Sequence, residues 1–464
     1  MLRAMPSNPR CFTDDGEKAV YLTGSHNWGN FRDMGATDPP AAFDYAGYLD
    51  FLAEHRHNFF RLWSWELPRS RQGAGEDVFY RAPFPWPRTG PGRASDGKPR
   101  FDLSRFDQSF FERLRARVVA AGDRGIYLSI MLFDGYGPQF NRMPDDGFPF
   151  DAGNNINGIA CGGTESQSLA DPGVTALQAA YIRKVVDTVN DLGNVLYEVA
   201  NEAGAYSTEW QYHVIRLVKA YEAGKPAQHP VGMTFQYEGG TNQALFDSPA
   251  DWISPAGGGY GRPSDPPPAD GRKVIINDTD HSLYYTGLLE AGAAGQRAWA
   301  WKNFLRGNHT LFMDPYLVPW PGRNEPHGAQ VDPQWDTLRR SLGHTRVYAE
   351  KVNLAEMAPR GDLASTGYCL AHVAPQGAEY LVYLPEGGTT TVDLSGAAGA
   401  LSVQWFDPVT GATAPGGNAL GGTTGSFTAP FAADAVLYLT GIQPTDPSAS
   451  SRTHSSFSTS GTGP

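Results

Sequence analysis

A chain of 464 residues exceeds what one ordinary hydrophobic core organises, so two or three domains are expected. Its 41% hydrophobic and 19% charged residues describe a soluble globular protein, and a formal charge of −12 argues against nucleic acid or an anionic membrane surface as the main partner. Cys11, Cys161 and Cys369 lie far apart and form no CxxC pair, which removes zinc knuckles and thioredoxin-type redox chemistry.

The first three quarters alternate short β-branched runs with helical periodicity. Residues 19–24, AVYLTG, read as a strand, and YAGYLDFLAEHRH after it as a helix. Residues 58–65 (NFFRLWSW), 126–134 (IYLSIMLFD) and 194–202 (NVLYEVANE) read as the second, third and fourth strands. The helical patterns 111–125 and 174–193, each with a glycine at its end, fall between them. A helix near 210–221 is followed by strands at 231–237, 251–254 and 273–278, a helix at 296–307, a strand at 310–314 and a closing helix at 336–352. Eight strands separated by helices predict a parallel α/β architecture, and the count is that of a (β/α)8 TIM barrel. A doubly wound sheet is the rival. No GxGxxG or GxxxxGK[ST] follows any strand, which favours the barrel.

Beyond about residue 353 the helical patterns stop. EYLVYLP, TTTVDL, LSVQWFDP, GSFTAPF and AVLYLTG alternate between Gly-rich turns and predict an all-β antiparallel sandwich. The last stretch is rich in Ser, Thr, Gly and Pro and reads as a disordered tail. The expected organisation is 1–352 barrel, 353–442 sandwich, 443–464 tail. The opening MLRAMPSNPRCF lacks the apolar core of a signal peptide, and no run of about 18 apolar residues exists. A soluble protein is expected, cytoplasmic as the sequence stands or secreted if the start is truncated. Oligomeric state is not legible.

Catalytic groups of a barrel sit at the C-terminal ends of strands, so polar clusters there carry weight. Strand four ends in Asn201-Glu202 and strand seven in VIINDTDHS, which sets Asp278, Asp280 and His281 at its tip. Strand one ends in His26, Asn27 and Trp28, and strand two carries Arg61 and ends in Trp63, Trp65 and Glu66. Asp134 ends strand three, Tyr237 strand five and Asp314 strand eight. With 11 Trp, 21 Tyr and 24 Phe, such a rim suits flat, partly apolar ligands such as sugar rings. An Asx-turn at Asp278 or Asp280, and a helix-start role for Glu202, are the structural readings of the same acids. His55 and His57 lack a third ligand, so no metal and no cofactor is expected.

The Asn-Glu of strand four, the acids of strand seven and Arg61 of NFFRLW together resemble clan A of the glycoside hydrolases over roughly residues 17–350. The start NPRCFTDDGEKAVYLTGSHNW and the trailing VQWFDPVTG look like its apiosidase-type relatives (family 140). The resemblance implies a retaining glycosidase acting on a poly- or oligosaccharide, with Glu202 as acid/base and a strand-seven acid as nucleophile. Asp280 is favoured, with Asp278 as its neighbour. Asn201 would hold the sugar 2-hydroxyl, Arg61 would keep the nucleophile ionised, and His26, Trp28, Trp63, Glu66, Asp134, Tyr237, His281 and Asp314 would contact substrate. The clan places Glu where this chain has Asp, which keeps retaining and inverting outcomes open. It also leaves room for a non-catalytic carbohydrate-binding protein or a lyase-type enzyme acting on uronides. Relatives carry a C-terminal domain labelled collagen-binding. Nothing in residues 353–441 indicates collagen, and a packing or glycan-contacting accessory domain is expected.

Overall fold

A computed structural model describes residues 1–71, 78–261, 265–282, 284–316 and 333–442. The tail expected at 443–464 lies outside the described residues. Eight parallel strands run in chain order: β1 (Thr23–His26), β2 (Phe59–Leu62), β3 (Tyr127–Asp134), β4 (Val195–Asn201), β5 (Val231–Thr234), β6 (Trp252–Ser254), β7 (Val274–Asp278) and β8 (His309–Met313). β2 through β8 pair successively, and β8 pairs with β1. Every residue of β4 and β7 is buried, as expected of strands enclosed on both faces.

The seam between β1 and β2 is held by Asn58. Its backbone N–H donates to the Thr23 carbonyl at 2.9 Å. Its side-chain oxygen accepts from the Thr23 N–H at 2.9 Å, and its amide nitrogen donates to the Tyr21 carbonyl at 2.8 Å. The backbones approach so closely that a Cβ on Gly24 would lie 2.2 Å from the Phe59 carbonyl oxygen. The eight-stranded barrel is the fold that the alternation predicts.

Helices α1 (Tyr45–Glu54), α2 (Gln108–Gly122), α3 (Pro172–Val189) and α4 (Thr208–Glu222) cover the first half. Asp44, Asp107 and Asp171 cap the first three by accepting backbone N–H bonds, and Pro172 opens α3 where its missing N–H costs nothing. A short α5 (Asn242–Asp247) follows β5. α6 (Tyr284–Leu305) starts well before the expected residue 296, with a break at Gly292 (φ 61°) that interrupts its periodicity in the sequence. α7 (Asp336–Lys351) closes the barrel. The fifth strand stops at Thr234, three residues short of expectation, leaving Gln236, Tyr237 and Glu238 in a loop where Glu238 has φ 67°. The Pro/Gly/Trp-rich stretch after β2 is not irregular throughout. Arg69–Arg71 and Val78–Ala82 pair antiparallel and extend to Asp33–Gly35, and Arg88–Arg93 pairs with Pro99–Phe101.

The chain leaves α7 at Lys351 and enters an antiparallel region at Ala358. A six-stranded sheet runs Ala358–Pro359, Cys369–His372, Glu379–Leu384, Ala435–Gly441, Ala400–Phe406 and Thr413–Leu420, with Thr389–Asp393 and Thr424–Thr428 paired beside it. TAPGGNAL (413–420) was not expected as a strand. It is the exposed edge, where glycine is tolerated. One face of this region packs on α6 and α7. Trp301 of α6 lies 6.2 Å from the ring of Tyr383 and 5.7 Å from that of Phe406. Arg297 donates through Nε to Asp434 at 2.9 Å, and the Tyr383 hydroxyl donates to the same carboxylate at 3.0 Å.

Two substitutions test this packing. Gly24→Ala forces β1 from β2 and should lower stability by about 1–3 kcal/mol in urea denaturation. Asp434→Ala strands the buried Arg297 guanidinium and should cost about 3–5 kcal/mol, with both domains losing stability in one transition.

Candidate active site

β2 delivers Arg61 into the barrel with its side chain almost fully enclosed. All five of its N–H donors are used. Nε and Nη2 grip the two oxygens of Glu198 in a fork, with the Nε bond at 2.8 Å. Nη2 also donates to Asn201 Oδ1 at 2.6 Å, and Nη1 donates to Asp278 Oδ2 at 3.1 Å and to Asp280 Oδ2 at 3.0 Å. One planar cation therefore ties β2 to β4, to β7 and to the turn after β7.

The two aspartates part company here. Asp278, the last residue of β7, is fully buried. One oxygen takes the Arg61 bond, while the other lies 3.2 Å from His26 Nε2 and accepts the Asp280 N–H at 3.0 Å. Asp278 thus makes the Asx-turn that the sequence allowed, and it aims Asp280. Asp280 sits in the first turn of a four-residue helix (Thr279–Ser282) and keeps part of its surface exposed. Thr279 fixes that turn by accepting the Met313 N–H of β8 at 2.8 Å.

Glu202 follows β4 with φ 54°, a left-handed conformation that is costly for a residue with a side chain. It is partly buried, and its carboxylate makes no hydrogen bond among the described residues. Carboxylate oxygens of Glu202 and Asp280 and a ring nitrogen of His281 all lie within 4.8 Å of one another. His281 Nε2 lies 3.1 Å from Asn201 Oδ1, which only accepts, so Nε2 carries the proton. Nδ1 then accepts from the Ser254 hydroxyl at 2.9 Å.

Burial and then the neighbouring Asp280 push the Glu202 carboxyl well above its usual range, against the pull of Arg61. Burial raises Asp280 to about 6, with Asp278 adding to the rise and Arg61 opposing it. Burial would raise Asp278 too, but His26 and Arg61 beside it outweigh that and hold it well below the ordinary carboxylate range. Burial and Arg61 bring His281 down to about 3, so its ring is neutral. The Glu202–Asp280–His281 trio has the spacing of a metal set, but the geometry fits a cation poorly. The Arg61 guanidinium already occupies Asp280, and His281 Nε2 is committed as a donor to Asn201.

The other expected residues divide. Trp63 is buried. It stacks on His26 at 5.4 Å and 8°, and Arg61 lies over its ring at 4.8 Å. Trp28 is buried in the same layer, with its N–H on Met313 Sδ at 3.1 Å. Both support the cluster from within and present no open sugar platform. Glu66 and Asp134 form a second buried acid pair beside it, bridged by Gln167, whose amide reaches the Glu66 carboxylate at 3.3 Å and the Asp134 carbonyl at 2.6 Å. Burial followed by Asp134 raises Glu66 to about 8, and burial raises Asp134 to about 6. Asp314 is drawn away from the cavity, because Arg339 of α7 takes both its oxygens, at 2.8 and 2.6 Å. Tyr237 stands exposed on the rim. Glu198 was not anticipated. Its signal was an acid inside the otherwise apolar run VLYEVA, four residues before Glu202.

Residues 365–440 match the family profile described as "Putative collagen-binding domain of a collagenase". No curated protein matches the sequence. The whole chain is similar in structure to a glycoside hydrolase family 5 protein from Bacteroides vulgatus at TM-score 0.62 and 13% identity, covering 98% of this chain and 95% of that one. A protein described only as a glycoside hydrolase matches at TM-score 0.62 and 12% identity, over 95% and 96% of the two chains. At such identities the likeness is one of fold, a (β/α)8 barrel with a trailing β-sandwich. It does not extend to the narrower apiosidase-type placement.

Replacing Arg61 by Met leaves Glu198 and Asp278 buried without their counter-charge. The expected loss is about 3–5 kcal/mol of unfolding free energy by urea denaturation at neutral pH.

Proposed function

We propose that the chain is a retaining glycoside hydrolase with Glu202 as general acid/base and Asp280 as nucleophile. The observation that carries this reading is the approach of the Glu202 and Asp280 carboxylates within 4.8 Å, one kept protonated and the other held by Arg61. Retaining enzymes set their carboxyls about 5–5.5 Å apart, whereas inverting enzymes leave roughly 6.5–9.5 Å for a water. Asp280 stands on the helical turn beyond β7 and not on the strand itself. The structural likeness to glycoside hydrolases supports the class of reaction, and the pair of acids supports the route.

In the first half-reaction Glu202 gives its proton to the glycosidic oxygen as that bond breaks, and Asp280 bonds to the anomeric carbon. In the second, Glu202 takes a proton from water, whose oxygen displaces Asp280, so the net change is addition of one water. Asn201 Oδ1 is pinned by Arg61 and His281, and its amide nitrogen makes no bond among the described residues. That donor is placed for the sugar 2-hydroxyl. Residues 1–352 would be the catalytic unit and 353–442 an accessory sandwich. Among the described residues no helix is long and apolar enough to cross a membrane.

Assays on a panel of aryl glycosides and oligosaccharides test the roles. Glu202→Gln and Asp280→Asn should each cut kcat by roughly 10²–10⁴-fold. A carbohydrate-binding protein without catalysis would show no turnover to lose, and a lyase would release an unsaturated sugar. Activity needs Asp280 ionised and Glu202 protonated. It should therefore rise as pH passes upward through about 6 and fall again only where Glu202 ionises, well above ordinary carboxylates. An acid limb near 4 would count against Asp280.

A further inference from the structure

Three of the large exposed hydrophobic side chains, Phe140, Tyr206 and Tyr237, come from loops that follow β3, β4 and β5 at the catalytic end. They stand 40%, 44% and 46% exposed. The ring of Phe140 meets that of Tyr237 edge-on at 5.3 Å and lies tilted against that of Tyr136 at 5.0 Å. These loops interlock directly beyond Glu202. The Ala205 N–H donates to the Glu238 carbonyl at 3.1 Å. A Cβ on Gly204 would strike both Gln139 and the Tyr206 ring, and one on Gly135 would strike Ala203. The Tyr206 hydroxyl is steadied by Gln167 Oε1 at 3.1 Å. Rings that a folding core would bury are instead held at the surface, and Tyr206 stands four residues beyond the candidate acid.

Phe140 also lines a cleft of about 440 Å³ with Arg69, Arg71, Asn141, Arg142 and Asp145. That volume lies within the roughly 300–1,000 Å³ range of small-molecule sites. The cleft is polar, and at least two of its three arginines are held in ion pairs. Arg69 pairs with Asp145, and Arg142 pairs with Asp146 and Asp151. An anionic sugar would have to displace those carboxylates. A neutral sugar would find donors and acceptors for its hydroxyls without opposing them.

We propose that Tyr206, Tyr237 and Phe140 form a stacking track that carries a neutral glycan chain from the Glu202–Asp280 cavity into this cleft. The site then binds several consecutive sugar residues, which makes the substrate a chain and not a lone glycoside. Aromatic rings suit this role, because each offers a flat apolar face to a sugar ring. The substrate class rests on the hydrolase reading, but binding along the track does not require turnover.

Affinity electrophoresis separates the two. Glu202→Gln protein is run in gels containing arabinoxylan, glucomannan, β-1,4-galactan or polygalacturonate, with and without the further pair Phe140→Ala and Tyr237→Ala. At least one neutral polysaccharide should retard Glu202→Gln, and the added pair should weaken that retardation at least fivefold, with an unchanged melting temperature. Polygalacturonate should retard neither. No retardation in any neutral gel, retardation that survives loss of both rings, or preferential retardation by polygalacturonate would overturn the track. The hydrolase reading fails separately, if wild-type protein releases no sugar from any glycoside or if Glu202→Gln turns over like wild type.

Discussion

The site is organised around one guanidinium with no donor left over. Arg61 must be ionised, planar and held in a single pose for its five N–H groups to reach Glu198, Asn201, Asp278 and Asp280. The pose is fixed from outside the cluster. Trp63 lies against the guanidinium on one side, and the Arg61 carbonyl accepts from Asn30 at 2.7 Å. Lysine could supply the charge but not the fork, so the arrangement is as much geometric as electrostatic. The β1–β2 seam closed by Asn58 holds β2 in the barrel wall, and that is what brings a side chain of residue 61 to partners 137 to 219 positions away.

The charge balance around Arg61 explains why neighbouring acids differ. Three carboxylates share one guanidinium, so they cannot all be stabilised equally as anions. Of the two aspartates, Asp278 takes bonds from Arg61, His26 and a backbone N–H and is the more firmly held as an anion. Asp280 has a single Arg61 bond and stays near the middle of the scale. Glu202 receives no hydrogen bond among the described residues and faces Asp280, so it holds its proton. A difference in protonation between two close acids is what acid/base work on a glycosidic bond requires, and here it follows from how one cation divides its donors.

The barrel was legible because its strands and helices have different apolar periods and each strand ends in polar residues. The tip motifs of β4 and β7 were legible for the same reason, since an acid at the end of a buried strand has few structural excuses. Other features lay beyond sequence reasoning for particular causes. Asp278 and Asp280 are two apart and could both face the cavity on a continuing strand. Only the change to a helical turn at Thr279 separates them. Trp28 and Trp63 sit at strand ends like sugar platforms, yet the depth at which they pack depends on Met131 and Met313 from other strands. Asp314 resembled a rim acid until Arg339, 25 residues on, claimed it. In each case the deciding partner is distant in sequence, and local pattern carries no record of it.

The trailing sandwich bears on function through what it covers. Trp301 and Phe304 of α6, Tyr348 of α7 and Val352 just beyond it form one apolar cluster with Tyr383, Phe406, Val436 and Tyr438 of the C-terminal sheet. A module that searched for ligand on a flexible tether would have a small polar contact with its neighbour. This one instead completes the outer layer of the barrel at the helices that follow β7 and β8. Those strands end in Asp278 and Met313, which frame Thr279 and thereby the turn that presents Asp280. The sandwich thus stabilises the helices on which the Asp280 side of the cavity is built, and its likeness to a domain described as collagen-binding is compatible with that mechanical role. On the proposed function, sugar recognition then falls to the opposite half of the rim, where the loops after β3, β4 and β5 leave their aromatic rings in solvent.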